Sequence, residues 1–184
     1  MRLFVALDIP EAVRGALTDV IRELARVCPG ARWVRPEGIH VTLKFIGHME
    51  DEKIAEINER LSSIRQKDPI EIAFRQFGFF PNEKHPRVFF VGIESSAGLA
   101  LLAREIEAKL ESLGIPKETR AFQPHLTLAR FKTNDGLPEL RKKIASLLME
   151  DFGSGSMAEF YLYQSVLQSG GAVYTKLSTH RFVK

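Results

Sequence analysis

Cysteine is nearly absent, with Cys28 the only one among 184 residues. A single thiol excludes an intramolecular disulfide and any zinc site built on several thiolates, and it suits a reducing cytoplasm. No apolar run approaches the ~20 residues needed to span a bilayer, so no membrane partner is expected. The opening Met1-Arg2-Leu3-Phe4-Val5-Ala6-Leu7-Asp8 is apolar over too short a stretch for a signal peptide and ends in an acid and a proline. The phosphate-cradling loop G-x-x-x-x-G-K-[ST] and the nucleophile elbow G-x-S-x-G are both missing. No His, Asp and Glu set has metal-ligand spacing. Neither ATP nor a metal is therefore expected as a cofactor. Linkers rich in Pro, Gly or Ser are also lacking. The one low-complexity patch, Gly153-Ser154-Gly155-Ser156, is expected to be a flexible turn.

What remains is an ordinary soluble composition, 45% hydrophobic and 27% charged, with a formal net charge of +3. That mild basicity permits a polyanionic partner without requiring one.

The chain repeats itself. Arg2-Leu3-Phe4-Val5 matches Arg87-Val88-Phe89-Phe90, and His40-Val41-Thr42-Leu43 matches His125-Leu126-Thr127-Leu128. The offsets agree, since 87 − 2 and 125 − 40 both give 85. A helical stripe lies between the marks in each half: Val13, Leu17, Val20, Ile21 and Leu24 in one, Leu99, Leu102, Ile106 and Leu110 in the other. A second helix follows each motif, from Asp51 to Ile64 and from about Pro138 to Met149. Apolar runs come next, Ile70 to Phe80 and Met157 to Gln168. Gly170-Gly171 then reads as a hairpin turn before a last strand, Ala172 to His180. Each half is thus predicted as strand, helix, strand, helix, strand. One domain is expected over 1–184, a pseudo-twofold duplication with repeats at about 1–84 and 85–184 that share an interface.

In a strand, His40, Thr42 and Lys44 share one face, and Val41, Leu43 and Phe45 the other. A lone copy of such a motif is most often structural. Two copies of equal parity, related by a pseudo-twofold axis, can bring two imidazoles and two hydroxyls to one cleft. Duplication of a mere core motif is the competing account. It has to explain why both His and both Thr persist while apolar positions drift, and how four buried polar groups find partners. Histidine titrates near neutrality, so one ring can start as base and its twin as acid. In-line cleavage of a phosphodiester needs that division of labour, and hydroxyls can steady the non-bridging oxygens.

The chain resembles the 2H phosphoesterase superfamily, named for two His-x-Thr/Ser-x motifs, and within it the 2′-5′ RNA ligase or RNA 2′,3′-cyclic phosphodiesterase family. The likeness runs from the Leu3-Phe4-Val5-Ala6 strand to the final hairpin. It includes Phe122-Gln123-Pro124-His125-Leu126-Thr127-Leu128-Ala129-Arg130, Trp33-Val34 and Leu43-Lys44-Phe45-Ile46-Gly47. It implies a bilobal α+β fold with antiparallel sheets lining a central cleft, opening of a 2′,3′-cyclic phosphate at an RNA end to a 2′-phosphate, and an ATP-independent 2′-5′ joining of tRNA halves; a cytoplasmic monomer is expected. It implies His40 as the proton donor to the 3′ oxygen, His125 as the base, and Thr42 and Thr127 on the phosphate. The near-symmetry of the motifs leaves the acid and base order open. Arg130 belongs to the second motif as a phosphate ligand, although strand parity turns it away from His125 unless a bulge re-aims it.

Lesser candidates are Lys44, with solvation at a strand rim as its ordinary fate, and Trp33 with Phe77-Gly78-Phe79-Phe80 as stacking faces, core packing being the commoner use of Phe79 and Phe80. The cations Arg32, Arg35, Lys84, Arg87, Arg120 and Lys132 form a candidate track for RNA phosphates, with a solvated surface as the alternative. His48, His85 and His180 carry no motif and are expected at surfaces or turns. Two other functions fit the same residues: a phosphodiesterase for small cyclic nucleotides, and a non-catalytic RNA-binding module.

Overall fold

The computed structural model describes residues 1–147, 150–169 and 171–183. The first half runs β1 (Arg2–Leu7), α1 (Glu11–Val27), a two-residue β2 (Arg32–Trp33), β3 (Val41–His48), α2 (Lys53–Ser62) and β4 (Ile70–Phe80). The second runs β5 (Val88–Ser95), α3 (Ala97–Glu111), β6 (His125–Arg130), α4 (Leu137–Ser146), β7 (Asp151–Met157), β8 (Glu159–Gln168) and β9 (Gly171–Arg181). The helical stripes read from the sequence are the buried faces: Val13, Leu17, Val20, Ile21 and Leu24 of α1, and Leu99, Leu102, Ile106 and Leu110 of α3. Among the described residues no helix is long and apolar enough to cross a membrane.

Two antiparallel sheets result, with strand orders β3-β1-β8-β9 and β2-β6-β5-β4-β7. Neither half completes its own sheet. The last strand of the first half, β4, pairs with β5, while β8 of the second half pairs with β1. This exchange gives the pseudo-twofold α+β fold its two lobes and a common core of buried residues drawn from both halves.

The second half holds one strand more than predicted. Gly153–Ser156 is not a turn but part of β7, laddered on β4 through Ile72↔Gly155 and Ala73↔Ser154. Backbone pairing along an open sheet edge needs no apolar side chains, so composition does not mark it. Gly155 also backs onto Pro10: a Cβ there would sit 2.4 Å from the proline Cγ. The run Met157 to Gln168 accordingly divides between the end of β7 and β8. Helix α4 starts at Leu137 and ends at Ser146, and Met149, the predicted end, lies outside the described residues, as does Gly170 of the predicted turn.

Both motif strands carry a bulge at the same place in the repeat. In the β1–β3 ladder Ala6 faces Thr42 and Val5 faces Lys44, so Leu43 is the extra residue. In the β5–β6 ladder Phe90 faces Thr127 and Phe89 faces Ala129, so Leu128 is the extra one. A bulge reverses side-chain parity beyond it. Lys44 therefore turns inward, 3% exposed, instead of sharing a face with His40 and Thr42, and Phe45 turns outward, 52% exposed, instead of joining the core. The Lys44 ammonium is held by Glu107 of α3 at 3.1 Å and the Pro116 carbonyl at 2.7 Å, tying β3 to the loop that leads to β6. Burial pulls the Glu107 carboxyl up, but the Glu118 N–H and Lys44 outweigh it and hold the group below the usual carboxylate range. His180, expected at a surface, is buried on Phe160 with Ser178 at 2.9 Å from its Nε2.

Candidate active site

His40 enters β3 from a 3₁₀ turn over Pro36–Gly38, and His125 opens β6. Nδ1 of His40 lies 2.7 Å from the Gly38 carbonyl, and Nδ1 of His125 lies 2.8 Å from the Gln123 carbonyl. A carbonyl can only accept, so Nδ1 carries the proton in both rings. Nε2 is left to serve as base when bare and as acid when protonated. The repeat places this anchor too, since Gly38 and Gln123 are 85 apart.

Both histidines, with Thr42, Thr127 and Arg130, line one cleft of about 1130 Å³. Arg130 reaches it because of the bulge at Leu128, which undoes the parity that would have turned it away. Its counterpart one repeat earlier is Phe45, which reaches the same cleft past the bulge at Leu43. No residue type in either motif signals a bulge, so alternation alone does not mark Phe45 as a cleft residue. Arg2, Leu167 and Tyr174 of the lining also escape the sequence reading, because only the strand exchange carries β8 and β9 alongside β1.

Among the described residues the cleft is lined by five cations, Arg2, Arg32, Arg35, Arg130 and Lys132, and by no Asp or Glu. None of the five takes part in an ion pair among the described residues, whereas Arg14, Lys44, Arg75 and Lys176 all do. Of the predicted track, Arg32, Arg35 and Lys132 line the cleft, Arg87 lines a hollow next to it, and Lys84 and Arg120 line neither. Trp33 also faces the cleft while its indole N–H donates to the Cys28 carbonyl at 2.9 Å. Phe77 and Phe79 pack on Phe89 of the core, but Phe80 stacks on Phe90 at 4.2 Å and sets its edge against His125 at 5.0 Å.

The two rings sit in unlike surroundings. His40 stacks on Phe4 at 4.7 Å and meets Tyr174 edge-on at 5.1 Å. Behind Phe4 lies Tyr163, whose hydroxyl donates to Asp8, and Asp8 is paired with Lys176 at 2.5 Å. Burial and that carboxylate push the Tyr163 phenol well above its ordinary range. Burial lowers His40 to about 4, with the Gly38 carbonyl and Asp8 pulling upward and Arg14 and His125 downward. Burial also lowers His125, opposed by the Gln123 carbonyl and reinforced by Arg130. Among the described residues no group of three His, Cys, Asp or Glu side chains is placed to hold a metal ion.

The family model for LigT-like phosphoesterases matches the chain twice, over residues 7–90 and 91–174. The chain belongs to the LigT-like phosphoesterase family. It is 37% identical over 177 residues to the RNA 2′,3′-cyclic phosphodiesterase of Archaeoglobus fulgidus, covering 96% of this chain and 98% of that one. It is 35% identical over 174 residues to the protein of the same name from Methanocaldococcus jannaschii, covering 95% and 96%. A crystal structure of a Thermus thermophilus protein superposes with a TM-score of 0.79 at 32% identity, covering 99% of this chain and 98% of that one. Escherichia coli LigT complexed with 3′-AMP has the same fold, with a TM-score of 0.80 at 24% identity over 100% and 98% of the two chains. The two consecutive family matches fit a duplicated, two-lobe architecture. This phosphoesterase therefore carries a His-x-Thr motif in each match, both opening on one cation-lined cleft.

Proposed function

We propose that this phosphoesterase opens 2′,3′-cyclic phosphate ends of RNA to 2′-phosphates, with His40 as the acid and His125 as the base. The observation that carries this reading is the pairing of two identically anchored imidazoles with two hydroxyls in a cleft whose described lining holds five cations and no carboxylate. Water on the far side of phosphorus gives its proton to Nε2 of His125 as the new P–O bond forms. The P–O3′ bond breaks and the departing 3′ oxygen takes the proton of His40. Thr42, Thr127 and Arg130 bind the non-bridging oxygens, where charge concentrates.

The order is the one implied by the resemblance to the 2H phosphoesterase superfamily. Burial lowers both rings; the Gly38 carbonyl and the Asp8 carboxylate oppose it at His40, and the Gln123 carbonyl opposes it at His125 while Arg130 adds to it. Without substrate, burial leaves both rings neutral at pH 7, yet turnover needs one proton on the pair. The substrate anion supplies the missing attraction. A unit charge about 4 Å away is worth about 4 kcal/mol at an effective dielectric of ~20. That is enough to return a depressed imidazole to the neutral range.

With a 5′-hydroxyl in place of water the same geometry joins tRNA halves 2′-5′ without ATP, since the strained cyclic ester drives the step. We assign the chain to the cytoplasm as a monomeric, single bilobal domain. The open, cation-lined cleft favours an RNA end over a small cyclic nucleotide.

The test is turnover of an oligonucleotide ending in 2′,3′-cyclic phosphate, with EDTA present, across pH. Activity should persist in EDTA. A lowered pKa in the free enzyme loses its proton at lower pH, so kcat/KM should peak on the acid side, below about pH 6.5. Bound anion raises the pKa, so kcat should peak at higher pH. These limbs belong to the pair rather than to either ring. Activity that vanishes in EDTA and returns with a divalent ion, or kcat/KM that keeps rising above neutrality, would contradict the reading.

A further inference from the structure

Beside the cleft lies a second hollow of about 320 Å³, lined by His85, Pro86, Arg87, Lys132, Thr133 and Asn134. Lys132 lines both spaces. The strand registers explain the adjacency. Arg32 faces Arg130 across β2 and β6, Val88 faces Arg130 across β5 and β6, and the Phe131 N–H donates to the Arg87 carbonyl. This sets Arg32, Arg130 and Val88 in one row across β2, β6 and β5, with Arg87 next in sequence to Val88 and its carbonyl held by Phe131. Lys132, two residues past Arg130, joins the cleft to the hollow.

The hollow offers donors. Arg87 is steadied by a hydrogen bond from its Nη1 to the Lys132 carbonyl at 3.2 Å, which leaves its other N–H groups for a ligand. The Asn134 amide nitrogen lies 3.4 Å from Nδ1 of His85 and donates to it, so Nε2 of that ring carries a proton. Lys132 adds an ammonium. Among the described residues no carboxylate lines the space, and the nearby Asp135 accepts from the Thr133 hydroxyl at 2.7 Å. Neither Arg87 nor Lys132 takes part in an ion pair among the described residues, although Arg75 and Lys143 elsewhere do. A concave, donor-rich, uncompensated site is suited to a phosphodiester group, and phosphate contacts of this kind position a strand without reading its sequence.

We propose that this hollow holds a backbone phosphate of the RNA strand 5′ to the cyclic end, so that the enzyme selects oligonucleotides over cyclic mononucleotides. The subsite builds on the RNA-end reading and adds a second point of attachment, with Lys132 bridging the two. A mononucleotide fills the cleft but has no phosphate to place beside Arg87.

The experiment compares wild type with Arg87→Glu and Arg87→Ala in two arms. In the first, a labelled single-stranded hexanucleotide ending in 2′-phosphate is titrated by fluorescence anisotropy at several salt concentrations. Arg87→Glu should weaken binding about tenfold or more. Arg87→Ala should lower the slope of log affinity against log salt by about 0.7, the value for removing one phosphate neutralisation on a single strand. In the second, kcat/KM is measured on a cyclic-phosphate-ended hexanucleotide and on a 2′,3′-cyclic mononucleotide. The variants should lose about tenfold on the first and stay within about twofold on the second. Unchanged affinity and slope, or an equal loss on both substrates, would overturn the subsite. The binding arm keeps it separable from the catalytic reading. If wild type turns over no cyclic phosphate yet Arg87 governs hexanucleotide affinity and slope as stated, the subsite stands and the RNA-end reading fails.

Discussion

His40→Ala and His125→Ala should each slow opening of a cyclic phosphate by about 10²–10⁴-fold, the range for loss of a positioned proton-transfer group. Both rings are fixed by the same bond, Nδ1–H to a carbonyl two residues earlier, and neither has a neighbouring base to replace it among the cleft residues. Thr42→Ala and Thr127→Ala should cost less, about 10–100-fold, because each removes one hydrogen bond to a charge that Arg130 also neutralises. A substrate with sulfur in place of the 3′ oxygen separates the two histidines. A thiolate leaves without protonation, so His40→Ala should recover most of its rate on it and His125→Ala should not. Single-turnover rates on both substrates check this. A His40→Ala protein with the wild-type rate on the oxygen ester would refute the acid assignment.

Arg130→Ala should lower kcat/KM by about 10–100-fold, in line with loss of a charge-assisted hydrogen bond of roughly 1.5–3 kcal/mol. The bulge at Leu128 carries Arg130 into the cleft beside His125, where its guanidinium can reach the phosphate. Arg130→Lys should recover only part of the loss, since an ammonium is a point charge without the guanidinium fork. Losing a cation that depresses His125 should also move the base's limb of the pH profile to higher pH, by relieving the repulsion that disfavours its charged form. An exposed arginine with no part in the site would give a variant with unchanged kinetics and an unchanged profile. Arg130 is exposed at the end of β6, so the substitution should leave folding intact.

Much of this is legible in the amino acids. The 85-residue repeat, the helical stripes and the two His-x-Thr motifs follow from periodicity, and the motif histidines and threonines stand where strand alternation puts them. Alternation fails just past each motif. Counting by twos puts Lys44 on the polar face and Phe45 in the core, and it turns Arg130 away. A bulge depends on what the neighbouring strand pairs with, and that information lies in β5 for β6 and in β1 for β3, each more than 30 residues distant along the chain. The exchange of β4 and β8 between halves is hidden for the same reason. It brings Tyr163, Tyr174 and the Asp8–Lys176 pair up behind His40. Strand β7 escapes notice because an edge strand of Gly and Ser is recognised by its ladder and not by its side chains. The anchors at Gly38 and Gln123 use backbone carbonyls, which no residue type announces.

The most direct test of the central claim is phosphorus NMR of the product formed from a 2′,3′-cyclic phosphate end in EDTA. In-line displacement with His125 and its water opposite the 3′ oxygen, and His40 beside it, can release only that oxygen. The spectrum should show a 2′-phosphate monoester accumulating without added metal. A dominant 3′-phosphate would mean that the ribose lies the other way round between the two histidines, and no product at all in EDTA would mean that the two imidazoles do not carry the reaction.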